Sequence, residues 1–383
     1  MRVPASYPVL GAAERHAMHE AIDSGWLTAG PINERFETEL AKYIGVTYVR
    51  TCNSGSSANL LATAALFATG HIEPGDVVRT PAVGFPTTIN PLILYGAIPE
   101  FVDVDPLTLC PAPGQTVDVG AHPLGNPLPT DPALLEDCCD ALGSLSKGIH
   151  VGKAGLVGTL SFFPAHHITT GEGGAVFTND LEIVRAVESL RDWGRDCWCA
   201  PGQNNTCGMR FKHHFPPLPA CYDHKYTFTH LGFNLKMTEV QAACGLEQMK
   251  RLPEFVTLRR RNHAYLAQKL APLEEFIELP QATAGSEPSW FGFHFLLRER
   301  GLRAPLQSFL ADRGVDSRLV FAGNLARQPY LQGRQWRRDG ELTGAERVME
   351  DAMWVGCWPG LTIQDLDYVV EQVGTFFGVR GFE

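Results

Sequence analysis

The chain has 383 residues and a mass of 42.0 kDa, long enough for one large and one small domain. Its formal net charge of -10 argues against nucleic-acid binding, because affinity for a phosphate backbone depends on clustered Lys and Arg. The sequence has neither an apolar N-terminal segment nor a run of about 18 apolar residues, so we expect a cytoplasmic protein without a signal peptide or membrane span. Ten cysteines in so large a chain favour metal ligands or packing residues over disulfides.

The first two thirds of the chain alternates helix and strand signals. Helices are predicted over residues 12–23 and 33–43, from the turn at residues 53–58 through residue 67, and after Pro86. Strands are predicted over residues 48–51, 77–80, 100–104, 116–121, 133–136, 158–163 and 175–178. Strands separated by helices of this length imply an α/β fold with a mostly parallel sheet covered on both faces.

Two irregular segments and a C-terminal α+β unit complete the chain. Residues 105–132 are rich in Pro and Gly and too broken for a full crossover helix, and residues 196–226 mix Cys, His and aromatic side chains. A helix over residues 238–270, interrupted near Pro253, leads to a strand at 290–297. Later helices are predicted to start near Pro305, Gly344 and Thr362. We expect a large domain over residues 1–250, which includes a loop at 191–226, and a small domain over 251–383.

Two motifs stand where strands are predicted to end. In the run Asn53-Ser54-Gly55-Ser56-Ser57, a Gly/Ser turn before a helix offers backbone N–H groups to an anion, although a plain capped helix start remains open. The second run, from Glu136 to Gly143, places carboxylates at the carboxyl edge of the sheet. A buried aspartate there would hold a pyridinium nitrogen protonated; a helix N-cap beside another acid is the alternative.

A third motif carries a family resemblance. The run Gly158-Thr-Leu-Ser-Phe-Phe-Pro-Ala-His-His167, followed by Gly171-Glu-Gly-Gly-Ala175, resembles the DegT/DnrJ/StrS sugar aminotransferases, a branch of the fold-type I PLP enzymes. The family pattern is Ser-Phe-Phe-Pro-x-Lys, and its lysine bonds the cofactor covalently. In this chain His166 stands at that position, five residues after Ser161. The resemblance extends from about Gly25 to the C-terminus.

The resemblance also implies cofactor contacts in a homodimer with shared active sites. It assigns the phosphate turn to Gly55 and Ser56 with Ser161 beside it, and the ring-stacking aromatic to Phe85. The ring nitrogen would be held by Asp137, with Asp140 in support. In the sequence Leu231-Gly-Phe-Asn234, Asn234 would reach the phosphate of the partner subunit.

The histidine changes the expected chemistry. Imidazole forms no stable covalent bond with an aldehyde, but with an unperturbed pKa of about 6.5 it moves protons at neutral pH. Such a site suits pyridoxamine 5′-phosphate, and His166 would take a proton from the cofactor and assist loss of a sugar hydroxyl. A decayed, inactive transaminase is the alternative. His167 is expected to be a packing or hydrogen-bonding neighbour.

Within the family, this histidine is typical of nucleotide-sugar 3-dehydrases. One branch, similar to CDP-4-keto-6-deoxyglucose 3-dehydrase, adds a 2Fe-2S cluster on cysteines spaced C-x57-C-x-C-x7-C. Cys139, Cys197, Cys199 and Cys207 reproduce that spacing. A structural zinc site with four cysteine ligands remains open. The other cysteines are expected to be packing residues: Cys52, Cys110, Cys138, Cys221, Cys244 and Cys357.

The resemblance therefore implies a dehydrase that removes the C3 hydroxyl of a nucleotide-linked 4-keto-6-deoxyhexose. Its cofactors would be pyridoxamine phosphate (or PLP) and a 2Fe-2S cluster, supplied with electrons by a flavin or iron-sulfur reductase. Two alternatives stay open: a cluster-free sugar dehydratase or aminotransferase, and a non-catalytic B6-binding regulator. Residues 105–134 are fewer than the family norm and the N-terminus is abbreviated, which would alter substrate binding or dimer contacts.

Overall fold

The computed structural model describes residues 1–112, 114–129 and 133–379, so part of the Pro- and Gly-rich segment predicted as irregular lies outside the described residues. The helices are α1 Ala12–Asp23, α2 Pro31–Ile44, α3 Gly55–Ala68, α4 Pro86–Leu94, α5 Leu181–Arg191, α6 Glu239–Leu270, α7 Arg303–Asp312, α8 Thr343–Asp351 and α9 Ile363–Phe376. The strands are β1 Tyr48–Cys52, β2 Val77–Pro81, β3 Ile98–Val102, β4 Val119–Ala121, β5 Leu135–Asp137, β6 Leu145–Ser146, β7 Ile149–His150, β8 Val157–Ser161, β9 Gly174–Thr178, β10 Ile277–Glu278, β11 Ser286–Glu287, β12 Gly292–Leu297, β13 Ser317–Arg318, β14 Arg337–Arg338 and β15 Ala352–Gly356. Within the described ranges, none of these helices combines the length and apolar character needed to cross a bilayer.

A mostly parallel sheet forms the centre of the large unit. Its strands lie in the order β1-β9-β8-β5-β4, and β9 runs antiparallel to both of its neighbours. A second sheet, β14-β3-β2, is parallel throughout. The Asp118 N–H donates to the Arg79 carbonyl at 2.9 Å, which joins β2 to the β4 edge. The two sheets therefore continue as one layer, and the predicted α/β architecture is confirmed.

The long helix α6 differs from its prediction. It begins with a capping box between Thr238 and Gln241 and continues through Pro253, so the predicted interruption is wrong. A proline inside a helix removes one N–H and therefore one backbone hydrogen bond. Leu252 and Phe255, on either side of it, are buried against the large unit, and this packing keeps the helix continuous.

Helix α5 was not predicted. Its N-cap is Asp180, whose Oδ1 accepts hydrogen bonds from the N–H groups of Glu182 at 2.7 Å and Ile183 at 3.0 Å. The helix buries Ile183 and Val187 and packs against α3. Its C-terminal end leads directly into the cysteine-containing segment, so α5 determines where that segment starts.

The C-terminal part adds a second sheet and core. Strands β10-β12-β15-β13 pair antiparallel, and α7, α9 and the end of α6 surround the same apolar cluster. The strand predicted at residues 290–297 is β12, whereas β15 was not predicted. The segment that contains β14 returns to pair with β3 of the large sheet. The proposed division at residues 250 and 251 stays a prediction.

Candidate functional site

A cavity of about 510 Å³ lies where β4, β5 and β8 end. Ligands of α/β proteins bind at this edge of the sheet because the loops that follow the strands converge there. The structure brings eight residues of the predicted site to this cavity: Gly55, Ser56, Phe85, Asp137, Cys139, Asp140, Ser161 and His166. The C-terminal unit contributes Phe291, Arg318 and Trp354 to the same wall. The cavity therefore lies between the strand ends of the central sheet and the C-terminal sheet.

Asp137 is the most firmly held polar group of the cavity. It ends β5, is buried, and its Oδ2 accepts hydrogen bonds from Asn59 Nδ2 and Thr88 Oγ1, both at 2.7 Å. The Cys139 N–H donates to the other carboxylate oxygen at 3.1 Å. Thr159 Oγ1 donates to Asn59 Oδ1 at 2.6 Å, which orients the amide so that its NH₂ faces the aspartate. Carboxylate bonds of this kind are stronger than neutral ones, so the position of Asp137 is well determined.

The phosphate turn lies beside it, at the start of α3. Ser54 caps the helix and its Oγ accepts from the Ser57 N–H at 3.1 Å. A Cβ added to Gly55 would lie 2.5 Å from Ser161 Cβ and 3.1 Å from Cys139 Sγ, closer than real contacts allow. Glycine is therefore required here, because the start of α3 packs directly against the side chains of Ser161 and Cys139. The helix start adds free N–H groups and a positive partial charge, which favour an anion.

His166 follows β8 and faces Asp140 across the cavity. Its Nδ1 lies 3.2 Å from Asp140 Oδ1, but the angles are not those of a hydrogen bond, and this nitrogen has no hydrogen-bond partner among the described residues. The fully buried guanidinium of Arg259 donates to the His166 carbonyl at 3.1 Å. The main chain at His166 is therefore fixed, while its imidazole lines the cavity with Nδ1 buried against Asp140.

His167 points away from the cavity. It is buried, and its Nε2 lies 2.8 Å from the Ser289 carbonyl oxygen. Burial lowers the pKa of His167 well below its ordinary value, and the nearby Arg259 charge adds to this effect. A neutral, hydrogen-bonded imidazole of this kind fits the expectation of a packing neighbour.

Three of the four predicted cluster cysteines lie together. The Sγ atoms of Cys197, Cys199 and Cys207 are within 4.8 Å of one another, in a segment that is partly exposed. Burial opposes ionisation of both Cys197 and Cys199: it raises the pKa of the Cys197 thiol to about 11, whereas hydrogen bonds from the Thr206 side chain and from Cys207 lower the pKa of the Cys199 thiol to about 6. A thiolate is the form of cysteine that binds metals. This three-thiol group therefore has the chemistry of a metal site.

Cys139 does not belong to this group in the described chain. It lines the cofactor cavity, and burial together with Asp137 raises the pKa of its thiol. Of the remaining cysteines, five are buried as expected: Cys52, Cys110, Cys138, Cys244 and Cys357. Cys221 is exposed, so the packing role predicted for it is wrong.

A histidine that was not predicted stands beside the three-thiol group. His224 is buried, and its Nε2 lies 3.3 Å from Cys207 Sγ. Its Nδ1 lies 2.9 Å from Asp196 Oδ2. A carboxylate on one ring nitrogen holds the other toward its neighbour, as at many metal sites. His224 belongs to the segment 196–226, whose mixture of Cys, His and aromatic side chains does not by itself point to this contact.

Asn234 lies outside the cavity. It is exposed, and its Oδ1 accepts a hydrogen bond from Lys236 Nζ at 2.7 Å. The expected contact of Asn234 with a phosphate in the partner subunit therefore stays a prediction. Asn59, Thr88, Thr159 and Arg259 are the cavity's supporting residues that sequence reasoning missed. A polar Asn in the apolar run of α3 was the one local signal.

The fold and the cavity define a class: the fold-type I enzymes that depend on pyridoxal phosphate. The chain belongs to the DegT/DnrJ/EryC1/StrS aminotransferase family, whose pattern matches residues 8–117 and 130–374. It is 49% identical to the lipopolysaccharide biosynthesis protein RfbH of Salmonella typhimurium, over 99% of this chain and 92% of that protein. It is 44% identical to a dTDP-4-dehydro-2,6-dideoxy-D-glucose 3-dehydratase of Saccharopolyspora spinosa, over 96% of this chain and 85% of that protein.

A solved structure agrees with this assignment. The GDP-4-keto-6-deoxy-D-mannose-3-dehydratase of E. coli with bound hydrated PLP superposes with a TM-score of 0.85 and 29% identity. The match covers 97% of this chain and 99% of that one. The resemblance inferred from the motif around His166 is confirmed at the level of family and fold.

Proposed function

We propose that the protein is a pyridoxamine phosphate-dependent dehydratase that removes the C3 hydroxyl of a nucleotide-linked 4-keto-6-deoxyhexose. The observation that carries this proposal is His166, which faces Asp140 in the cavity at the position of the family's cofactor-bonding lysine. The names of the relatives support it, because one acts on a dTDP-linked and another on a GDP-linked 4-keto sugar. An aminotransferase with a covalently held cofactor is disfavoured by the missing lysine.

The cavity residues fit a B6 cofactor. Gly55, Ser56 and Ser161 line the cavity at the positive end of α3, where they would help to hold the phosphate. Asp137 lies deep in the cavity with its carboxylate held by Asn59 and Thr88. When bound, pyridoxamine phosphate supplies an amine that condenses with the sugar ketone and a ring that accepts electrons.

The chain's own residues then have distinct tasks. Asp137 would keep the ring nitrogen protonated, because its carboxylate has three donors and cannot turn away. The half-exposed ring of Phe85, at the cavity wall, would cover one face of the cofactor. Asp140 would orient the imidazole of His166, 3.2 Å away.

His166 would act as the base and then as the acid. It would take one proton from the cofactor carbon that bears the amine and give one to the C3 hydroxyl, which leaves as water. Arg259 keeps the His166 main chain in place during both transfers. No covalent bond between protein and cofactor is required in this scheme.

The deoxygenation also needs two electrons and two protons, because a C–O bond is replaced by a C–H bond. We propose that Cys139, Cys197, Cys199 and Cys207 would hold a 2Fe-2S cluster, which would provide for transfer of single electrons from a flavin or iron-sulfur reductase. The Sγ atoms of three of these cysteines lie within 4.8 Å of one another, which supports metal binding. A zinc ion on the same thiols is the second candidate, because zinc also binds cysteine thiolates that lie close together.

The test is anaerobic purification followed by iron, acid-labile sulfide and zinc analysis and an electron paramagnetic resonance spectrum of the reduced protein. We expect iron and sulfide in equal amounts and, with reductase, conversion of CDP-, dTDP- or GDP-linked 4-keto-6-deoxyhexose to the 3-deoxy product. Turnover with glutamate and without iron would favour a cluster-free dehydratase. Bound cofactor without any product would contradict the enzymatic proposal.

A further inference from the structure

The predicted cluster cysteines lie against opposite ends of one helix. Cys139 Sγ lies beside Gly55, the first residue of α3. Cys197 lines a surface cleft with Ala68 and Thr69, at the last turn of the same helix. At 1.5 Å per residue, the 14 residues of α3 span about 20 Å. The sulfur of Cys139 is therefore far from the other three.

The cysteine loop, residues 196–226, is anchored at that distant end. The Asp196 N–H donates to the Thr227 carbonyl at 3.0 Å, and Ser189 Oγ of α5 lies 2.9 Å from His230 Nδ1. Lys225 Nζ donates to the Gln203 carbonyl at 2.8 Å. The ligands of one 2Fe-2S cluster must all bond to two adjacent irons. The arrangement of a single chain therefore offers three thiols at one place and one at another.

The cysteine loop and the cofactor cavity each provide part of a four-cysteine site. The loop group lacks a fourth thiol, and the cavity of the same chain holds one that lines its wall. Both places also carry exposed apolar side chains. On the loop side, Phe228 is 55% and Leu231 is 93% exposed, and at the cavity Phe85 is 50% and Phe163 is 48% exposed. A contact between the two places would remove these apolar side chains from water.

A second copy of the chain can bring the three thiols of one loop and the Cys139 thiol of the other subunit together. In a twofold dimer, each contact between two different surface patches occurs twice, with the roles of the subunits exchanged. If the loop of one subunit meets the cavity mouth of the other, two complete sets of four cysteines form. The apolar side chains of both patches are then covered in the same contact.

We propose that Cys139 of the partner subunit completes the group of Cys197, Cys199 and Cys207. This inference rests on the proposed function, because it requires that the thiols bind an iron-sulfur cluster. Each cluster then lies next to the cofactor cavity of the subunit that provides Cys139, two residues from Asp137. Electrons reach the cofactor of one subunit from a loop of the other.

Subunit complementation tests the proposal. Differently tagged Cys139→Ser and Cys199→Ser chains are co-expressed, and the mixed dimer is isolated by two affinity steps under anaerobic conditions. Across the dimer interface, one of its two sites keeps all four cysteines, so we expect about half of the wild-type iron, sulfide and resonance signal. Each variant as a homodimer should have none. Cys221→Ser, at an exposed cysteine outside the group, is the matched control and should keep wild-type iron.

A second mixed dimer, in which one chain carries both substitutions, should give the opposite result. A wild-type chain paired with the Cys139→Ser/Cys199→Ser double variant has no complete set across the interface, so it should lack iron. If this dimer instead holds about half of the wild-type iron and the first holds none, the four cysteines belong to one chain and the proposal is wrong. A monomeric wild-type protein with bound cluster would also overturn it. A wild-type dimer without iron would contradict the proposed function itself.

Discussion

The cofactor cavity and the cysteine loop differ in what holds their reactive side chains. In the cavity, Asp137 ends a strand in the middle of the sheet and accepts three hydrogen bonds. In the loop, the three thiols are partly exposed, and the segment 196–226 contains one short 3₁₀ turn, His224–Tyr226, as its regular structure in the described chain. The first site is built by the fold, and the second by local turns.

This difference implies different sources of stability. A carboxylate that is buried and fully bonded is pre-organised, so a ligand meets it without further ordering of the protein. Thiols on an irregular segment gain order from what they bind, because metal binding contributes directly to folding of the segment that carries the ligands. The cavity should therefore resist changes of metal content, while the loop should respond to them.

The largest effect is expected at His166. His166→Asn keeps a polar side chain but removes the group that moves protons, so turnover should fall about 10²–10⁴-fold, about 3–5 kcal/mol of barrier. Iron content should not change, because His166 is not one of the four proposed cluster ligands. A turnover assay with the reductase measures the loss of activity, and iron analysis measures the metal content. The exposed His19→Asn is the control, and a loss of less than about tenfold at His166 would contradict its role.

The next largest effect is expected on the free energy of unfolding, through the hydrogen bonds of Asp137. Thr88→Val preserves shape but removes the hydroxyl that donates to Asp137 at 2.7 Å. Hydrogen bonds to charged groups contribute about 1.5–3 kcal/mol, so the free energy of unfolding in urea should fall by that amount. Thr87→Val, at the adjacent and partly exposed position, should change it little. Equal losses at both positions would mean that the bond to Asp137 is not the cause.

Local sequence signals were sufficient for most of the fold. Helix α1 has the predicted bounds, and the predicted strands of the sheet are observed within a few residues. Pro253 misled the prediction because burial of the neighbouring turns outweighs one lost backbone bond. The α5 signal, an N-cap at Asp180, was present in the sequence and overlooked.

The candidate site was predictable where residues follow strand ends. Asp137 and Ser161 end neighbouring parallel strands, so their convergence follows from the sheet order. The partners of Asp137 did not follow, because the hydrogen bonds that Asn59 and Thr88 donate to it depend on how α3 and α4 pack over the sheet. The cysteine spacing likewise identified four residues but not where Cys139 lies relative to the others. The roles of these residues stay predictions.

Acid should lower the free energy of unfolding through His150. Burial lowers the pKa of this histidine to about 4, and its Nε2 accepts from the Gly143 N–H at 2.9 Å. The unfolded chain, with an ordinary pKa of about 6.5, takes up the proton first as pH falls. Stability present above pH 6.5 is therefore lost between about pH 6.5 and 4, about 2 kcal/mol of it by pH 5.

Urea unfolding at pH 7 and pH 5 measures this loss. His150→Gln should lose about 2 kcal/mol less than the wild type between the two pH values. His294, whose pKa burial also lowers to about 4, adds the same loss to both proteins and cancels from the difference. Identical losses in variant and wild type would show that protonation of His150 is not coupled to unfolding.

The smallest effect on global stability is expected in the loop. Lys225→Met removes the hydrogen bonds from Nζ to the Gln203 carbonyl at 2.8 Å and Asn204 Oδ1 at 2.7 Å. Both bonds lie at the surface, so the free energy of unfolding should change by about 0.5 kcal/mol or less. The loop should still depend on its metal. A protease should therefore cleave the variant between residues 200 and 222 faster when it is metal-free than after iron reconstitution. A stability loss as large as that of Thr88→Val would place the loop in the same cooperative unit as the cavity, and the distinction between the two sites would fail.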